Sequence, residues 1–531
     1  MTMQPPSSRT LFRLLCEQAD RFPAGIAVIS GGRATSYAEL ADAAGRVAAG
    51  LAARGIGRGS RVGILIDNRR EWLEAAIGVT AAGAVAVPFS TWSKEAELDF
   101  LFADAEIDAL IAADRVAGQD FVAALANLLR DPARFPRLRL VAVIGAAQPG
   151  WIAYEQLLAS EPSRTDKAEP GDDCFTLYTS GSSARPKAVR LRHGAAVENG
   201  FSIGERMRLS PDDRVLLAPP LFWSYGAVNA LPAAVTHGAA LVLQTRFEPG
   251  EWLGLVERHR CTAAYTLPSM TGAVLRHPQF RRGRVASLRT GLMIGSAEEV
   301  RIAAEELGAA AICNIYGATE TYGNCCVTPC DWPLARRMAS QGPPLPGNTL
   351  RIVDPDTGAL LPPGEPGLVE VTGYVTPGYS GASAEHNAAA FTVDGYFRTG
   401  DLGVLDEAGD FHFVGRDADV IKRAGINVSP AEVESLLLQH PEVAQAAVVG
   451  APAGERGEAI VAFVVAASGA APDAEALRRH CRGLASSYKV PDRFELCAAL
   501  PVTETGKLFR RALKQRAAAI VSETASGDRT Q

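Results

Sequence analysis

From Arg61 onward, short apolar runs alternate with segments of helical period. Arg61–Ile66 (RVGILI) reads as a buried strand, Glu71–Ala82 as a helix and Ala84–Pro88 as the next strand. The same order returns with a strand at Val215–Ala218, a helix over Gly226–Thr236, a strand at Ala239–Leu243, a helix from Glu251 and a strand at Ala263–Leu267. Strands this short with no polar alternation are covered on both faces. Strand–helix–strand order joins parallel neighbours, so the expectation is an α/β fold with doubly wound sheets. Upstream, Ser36 and Glu39 form a capping-box pattern ahead of an alanine-rich helix reaching Ala53.

The texture changes near Gly342. Residues 342–415 are dense in glycine and proline, with short strands at Thr349–Asp354, Gly367–Val371 and Phe411–Val414, which suits a small twisted sheet or barrel. After Gly415 come a helix (Ala431–Gln439), two strands (Val443–Gly450 and Ala459–Val465) and another helix (Asp473–Leu484), the pattern of a compact α+β unit. Length agrees, since 531 residues give room for about three or four folding units. The expected organisation is a large N-terminal domain over residues 10–415, with its barrel part at 342–415, and a C-terminal domain over 416–519. Flexible polar tails are expected at 1–9 and 520–531.

Composition excludes some function classes. Lysine plus arginine is 53 and aspartate plus glutamate is 59, for a net charge of −6, so no basic excess points to nucleic acid. Nine cysteines without a CxxC pair do not make a disulfide framework. The densest group, Cys325, Cys326 and Cys330, reads as buried thiols. The start, MTMQPPSSRT, lacks the apolar run of a signal peptide, and the uncharged stretch Ala75–Ser93 carries Pro88 and reads as a helix leading into a strand. The expectation is a cytoplasmic protein without a membrane or nucleic-acid partner.

Five segments carry chemistry. In Tyr178–Val189 (YTSGSSARPKAV), a strand leads into small hydroxylated residues and then Lys187. Such a loop lets backbone N–H groups approach phosphate oxygens while hydroxyls and an ammonium add donors. Pro186 stands where a Walker A loop requires glycine. Asn314–Glu320 (NIYGATE) offers a tyrosine that can stack on a base, a phosphate-binding Thr319 and a carboxylate, Glu320, suited to Mg²⁺. Asp394–Gly403 (DGYFRTGDLG) places Asp401 in a glycine-flanked turn, where a carboxylate accepts two ribose hydroxyls or closes an Asx-turn. Gly415–Glu434 clusters Arg416, Lys422 and Arg423 around a turn at Gly425, and Thr503–Arg511 (TETGKLFRR) presents Lys507 after a glycine.

Together and in this order, the five segments resemble the adenylate-forming superfamily of acyl-CoA synthetases, peptide-synthetase adenylation domains and luciferases. The resemblance runs from about Leu11 to Lys514 and includes PLFWSYG (220–226), GPPLPG (342–347), RIVD (351–354) and YKVP (488–491). Within the superfamily the chain looks most like the benzoate and 4-coumarate type of ligase for aryl and other bulky carboxylates. The resemblance implies two doubly wound subdomains plus a small β-barrel, a mobile C-terminal lid, and an active site between lid and N-terminal domain. It implies ATP or acyl-AMP, Mg²⁺ and coenzyme A as cofactors and a small-molecule carboxylic acid as substrate. By the same resemblance Thr179, Ser180, Gly181, Ser182 and Lys187 cradle the β- and γ-phosphates. Gly295, Ser296 and Ala297 flank the adenine with Tyr316 and Gly317, and Asn314 lies near its amino group. Thr319 contacts the α-phosphate, Glu320 binds Mg²⁺, and Asp401 and Arg416 hold the ribose. Lys507 bridges carboxylate and α-phosphate, Lys422 and Gly425 meet CoA, and Ala418 is the hinge. Phe222, Trp223, Met270, Tyr322 and Gly323 line the acyl pocket, with Trp223 where many relatives have histidine.

The phosphate loop departs from the superfamily's usual TSGTTGxPKGV. Ala184 and Ala188 replace glycines, and a β-carbon costs about 1 kcal/mol or more if the backbone needs positive φ. Besides a complete two-step ligase, this raises a half-reaction enzyme that makes the thioester from acyl-AMP supplied by a partner ligase. Two further readings are a stand-alone adenylating enzyme loading a carrier protein and a catalytically silent nucleotide-binding module. The alanine and arginine bias is compatible with a specialised-metabolite pathway in a GC-rich bacterium.

Overall fold

Two eight-stranded sheets carry most of the described chain. The structure, a computed structural model, describes residues 4–116, 119–179, 186–416, 419–423, 426–453, 458–485, 489–502 and 508–527. One sheet orders its strands as Cys326–Val327, Ala311–Tyr316, Thr290–Met293, Ala263–Thr266, Arg214–Leu217, Ala240–Leu243, Ile26–Ser30 and Arg33–Ser36. The other runs Tyr379–Ser380, Lys187–Arg192, Asp173–Thr179, Val85–Pro88, Arg61–Leu65, Ala109–Ala113, Leu140–Ile144 and Ile152–Ala153. The interiors are parallel and antiparallel pairing is confined to the ends of each sheet. Every residue of Ala109–Ala113 is buried, as expected of a strand with helices on both faces.

The helices form where the sequence cues place them. Ser36 caps Tyr37–Ala52, its hydroxyl accepting the Glu39 N–H at 3.2 Å while the Glu39 carboxylate accepts the Ser36 N–H at 2.7 Å. One helix differs in kind: the expected Gly226–Thr236 helix opens with a π-helical turn, Gly226–Ala230, before the α-helix Leu231–Thr236. Such turns alter which side chains face a neighbouring site.

Packing divides the described chain into two units. The first comprises residues 4–350, 371–398 and 408–411. The second comprises 351–370, 399–407 and the described residues from 412 onward. This division departs from the expected boundary at 415/416, because residues 351–370, 399–407 and 412–415 pack as part of the second unit while the rest of the 342–415 segment packs with the first. The segment contributes to a four-stranded sheet ordered Thr349–Val353, Gly367–Thr372, Phe397–Leu405 and Phe411–Arg416, the small sheet expected of this glycine- and proline-rich stretch. The Ser429 hydroxyl donates to the Val414 carbonyl at 2.9 Å, tying this sheet to the cap of helix Pro430–Leu438. The second unit also holds a three-stranded sheet, Val443–Pro452, Glu458–Ala466 and Arg493–Leu496.

Both expected tails are corrected. Ser7 and Ser8 donate to the Glu17 carboxylate, and Arg9 pairs with Glu198 at 2.7 Å, so the N-terminal approach is pinned by charge-assisted bonds. Residues 520–527 continue the helix Arg510–Gly527. No helix among the described residues is long and apolar enough to cross a membrane.

Candidate active site

Parallel strands deliver their C-terminal ends to one edge of a sheet, and the segments leaving that edge are where α/β folds place their chemistry. In the first sheet, four parallel strands end at Leu217, Thr266, Met293 and Tyr316. The segments that follow supply Phe222–Tyr225, Met270, Gly295–Ala297 and Gly317–Glu320. Met293 and Asn314 are direct neighbours in register, so the Gly295 turn and the Tyr316 strand end lie side by side.

Ser296 caps helix Ala297–Ile302 through a capping box with Glu299, which leaves Gly295 as the turn between strand and helix. The Tyr316 ring packs on Phe411 with centroids 4.4 Å apart. Gly317 is required by close approach, since a β-carbon there would stand 2.5 Å from the Asn324 Cα and from the Gly323 carbonyl oxygen. Asn314 does not take the expected place beside a base. Its side chain is fully buried, Nδ2 donating to the Ser340 carbonyl at 3.1 Å and Oδ1 accepting the Ile315 N–H at 3.0 Å. A buried amide needs internal partners, and Asn314 has them in the backbone.

The turn Thr319–Thr321 points two side chains in different directions. Thr319 Oγ1 donates to Ser224 Oγ at 3.1 Å. Glu320 accepts the Tyr379 hydroxyl at 3.0 Å on Oε1, and its carbonyl accepts the Thr376 N–H at 2.7 Å. Tyr379 also lies under Lys187, whose Nζ is 5.1 Å from the ring centroid. Burial, and then the Glu320 carboxylate, push the Tyr379 phenol well up from its ordinary range, so it donates rather than ionises.

Thr179 and Lys187 face each other as cross-strand partners of an antiparallel hairpin. Ser180, Gly181, Ser182 and Ala184 lie outside the described residues. Ala188 is described and corrects an expectation: it sits within the strand Lys187–Arg192, 3% exposed, opposite Tyr178 on one side and Ser380 on the other. Extended backbone accepts a β-carbon without strain, so the glycine-to-alanine change at 188 carries no conformational cost.

Ser224 links Thr319 to an aromatic wall. Trp92 meets both Phe222 and Trp223 edge-on, each at 5.4 Å between centroids, and Phe222 and Trp223 lie 6.3 Å apart. Trp92 follows the Val85–Pro88 strand and carries no motif, so sequence reasoning missed it. Met270 packs half-buried against the core around Leu253 and Val274. Tyr322 is a correction. It is fully buried, and its hydroxyl accepts the Arg192 N–H at 2.8 Å, so it pins the core and offers no surface to an acyl group. Gly323 adopts φ +90°, with the Asn229 amide where a β-carbon would point.

In the second unit, Asp401 and Arg416 sit on the strands Phe397–Leu405 and Phe411–Arg416 and pair at 2.7 Å. Asp401 is 2% exposed, whereas the Arg416 side chain is 56% exposed. Arg423, next to Lys422, is tied to Asp492 at 2.7 Å and to the Val490 carbonyl. Ala418, Gly425 and Lys507 lie outside the described residues, as does the side chain of Lys422.

The described residues contain no group of three or more His, Cys, Asp or Glu arranged to hold a metal ion. Cys325, Cys326 and Cys330 are buried, and burial pushes the Cys326 thiol up. Glu320 fits a different kind of site. It is a single half-buried carboxylate, already oriented on one oxygen, which suits Mg²⁺ shared with phosphate oxygens rather than caged by protein.

Residues 15–380 match the AMP-binding enzyme family, and residues 432–507 match the AMP-binding enzyme C-terminal domain. A feruloyl-CoA synthase of Amycolatopsis sp is 34% identical over 499 residues, spanning 93% of this chain and 96% of that protein. The crystal structure of ATP-bound MatB from Rhodopseudomonas palustris superposes with a TM-score of 0.86 at 28% identity, covering 97% of this chain and 99% of that one. The anthranilate CoA ligase AuaEII in complex with anthranoyl-AMP gives a TM-score of 0.84 at 26% identity, with the same coverage of both chains.

Proposed function

The chain belongs to the AMP-binding enzymes of the adenylate-forming superfamily and is an acid–CoA ligase using ATP, and from that premise we propose that its acid is bulky and apolar, most simply an aryl carboxylate. One observation carries this reading. The Trp92–Phe222–Trp223 wall is joined to Thr319 by a single hydrogen bond through Ser224, so a flat apolar acyl group on the wall has its carboxylate beside the phosphate-binding turn. Feruloyl-CoA synthase and anthranilate CoA ligase, both similar to this chain, are named for aromatic acids.

The reaction takes two steps. A carboxylate oxygen attacks the α-phosphorus of ATP, and pyrophosphate leaves. The CoA thiol sulfur then attacks the acyl carbonyl carbon, and AMP leaves. Thr179 and Lys187 hold the departing phosphates, Thr319 the α-phosphate, and Asp401 with Arg416 the ribose. Glu320 would hold a divalent cation, which would supply charge neutralisation for the leaving group. Lys507 places an ammonium where negative charge grows between carboxylate and phosphate, and Lys422 and Gly425 serve the CoA half. The partner-ligase alternative rested on Ala184 and Ala188. With Ala188 in a strand, no observation favours it, and both steps are assigned to this chain.

A panel of benzoic, cinnamic, alicyclic and short aliphatic acids, scored for pyrophosphate release and CoA thioester by mass spectrometry, tests the reading. Aryl acids are expected to exceed acetate by at least about 100-fold in kcat/KM, since each buried CH₂ is worth about 0.8 kcal/mol. Acetate as the best substrate overturns it. So does thioester formation from acyl-AMP alone, without pyrophosphate release from any acid.

A further inference from the structure

Tyr379 has no part in any segment read from the sequence, yet it touches two of the assigned site residues. Its position is set by pairing. Tyr379 lies directly opposite Val189 in the antiparallel contact with Lys187–Arg192. Lys187 is two residues from Val189 on the same face, the diagonal position an aromatic ring reaches. The backbone is fixed on its other side as well. Asn387 Oδ1 accepts the Tyr379 N–H at 2.7 Å, and Asn387 Nδ2 donates to the Tyr379 carbonyl at 3.2 Å. Just upstream, Thr376 Oγ1 donates to the carbonyls of Arg190 and Gly378, and the Thr376 N–H holds the Glu320 carbonyl. The segment 376–379 therefore clamps the Lys187 strand to the Glu320 turn. Tyr379 itself is 6% exposed, with its hydroxyl on Glu320 Oε1 and its ring beneath Lys187 Nζ.

We propose that Tyr379 is a positioning residue for the pyrophosphate end of the reaction. Its hydroxyl fixes one Glu320 oxygen so that the other is presented to Mg²⁺, and its ring holds the Lys187 ammonium by a cation–π contact. Both groups are needed while ATP is bound and while pyrophosphate leaves. Neither has a partner in the second step, when acyl-AMP meets CoA. Tyr379 thus acts on one half-reaction and not on the other. The inference rests on the roles proposed above for Lys187 and Glu320.

Two variants separate the two contacts. Tyr379→Phe keeps the ring and removes the hydroxyl, and Tyr379→Leu removes both. In Tyr379→Phe the Mg²⁺ concentration for half-maximal pyrophosphate release is expected to rise about 10-fold or more, the loss of one hydrogen bond to a charged group. The KM for the acid and the rate of thioester formation from synthetic acyl-AMP and CoA stay within about twofold, because those steps use no contact made by the hydroxyl. Tyr379→Leu adds a rise in KM for ATP. In a Glu320→Gln background, Tyr379→Phe is expected to have no further effect on the Mg²⁺ requirement. Calorimetric binding of ATP with Mg²⁺, and with EDTA in its place, gives a readout free of turnover: the gain in affinity due to Mg²⁺ shrinks in Tyr379→Phe. Equal loss in both half-reactions, or an unchanged Mg²⁺ dependence, overturns the proposal. If wild-type protein binds ATP in a Mg²⁺-dependent way but adenylates no acid, the functional reading fails and the calorimetric comparison still decides the role of Tyr379.

Discussion

The Lys187–Tyr379–Glu320 cluster and the Asp401–Arg416 pair hold charge in opposite ways. In the first, both charged heads lean on one buried ring whose own backbone is bonded on two sides. In the second, a buried carboxylate meets a guanidinium that is more than half in water. The cluster is set before any ligand arrives, because side-chain packing over-determines it. The Arg416 head of the pair lies largely in water, which screens its contact with Asp401. The proposed chemistry differs to match, since the cluster is assigned to phosphates used once and the pair to a ribose present in both steps.

That contrast is sharpest in Asp401→Asn. Loss of charged hydrogen bonds worth about 1.5–3 kcal/mol is expected to weaken nucleotide binding about 10–100-fold. The loss should appear in both half-reactions, measured as KM for ATP and KM for acyl-AMP. Sparing of either half would break the distinction from Tyr379.

The rigidity of the first unit has a pH signature. His193 opens the helix that follows the Lys187–Arg192 strand, and its Nδ1 accepts the Leu11 N–H at 3.2 Å. Burial, with Arg13 adding to it against Asp172, pushes the imidazole down to about 4. Between there and the ordinary value near 6.5, the unfolded chain binds a proton that the folded one refuses. The stability from this site is therefore complete above about pH 6.5 and is lost as pH falls toward 4. From pH 7 to pH 5, wild type is expected to lose about 2 kcal/mol more than His193→Asn in urea unfolding. Parallel losses would mean that another group carries the dependence.

Ala188→Gly gives the smallest effect. Glycine in a strand interior costs about 0.5–1 kcal/mol, so the melting temperature should fall slightly. Pyrophosphate release should not rise, and a rise would restore the idea that alanine at 188 impairs the phosphate loop.

Much of the fold was legible because buried parallel strands announce themselves as apolar runs, as at Arg61–Leu65 and Ala263–Thr266. The charged candidates for the site were picked out for a related reason. Lys187, Glu320, Asp401 and Arg416 stand in short segments where turn formers gather around one charge. Asn314 and Tyr322 were misread because the same segments also contain residues that face inward, and spacing does not report burial. Trp92 and Tyr379 had no local signal, since each acquires its role from a partner 59 or more residues away.

Local order, sheet class and the inventory of charged groups were determined by the sequence itself, because they depend on backbone preferences and hydrophobic period over a few neighbours. Which inventory members meet was decided only by the tertiary structure. Strand pairing sets Tyr379 beside Lys187 and Glu320, encloses Tyr322, and gives Ala188 an extended backbone. Those outcomes follow from long-range register and burial, which no stretch of chain carries within itself.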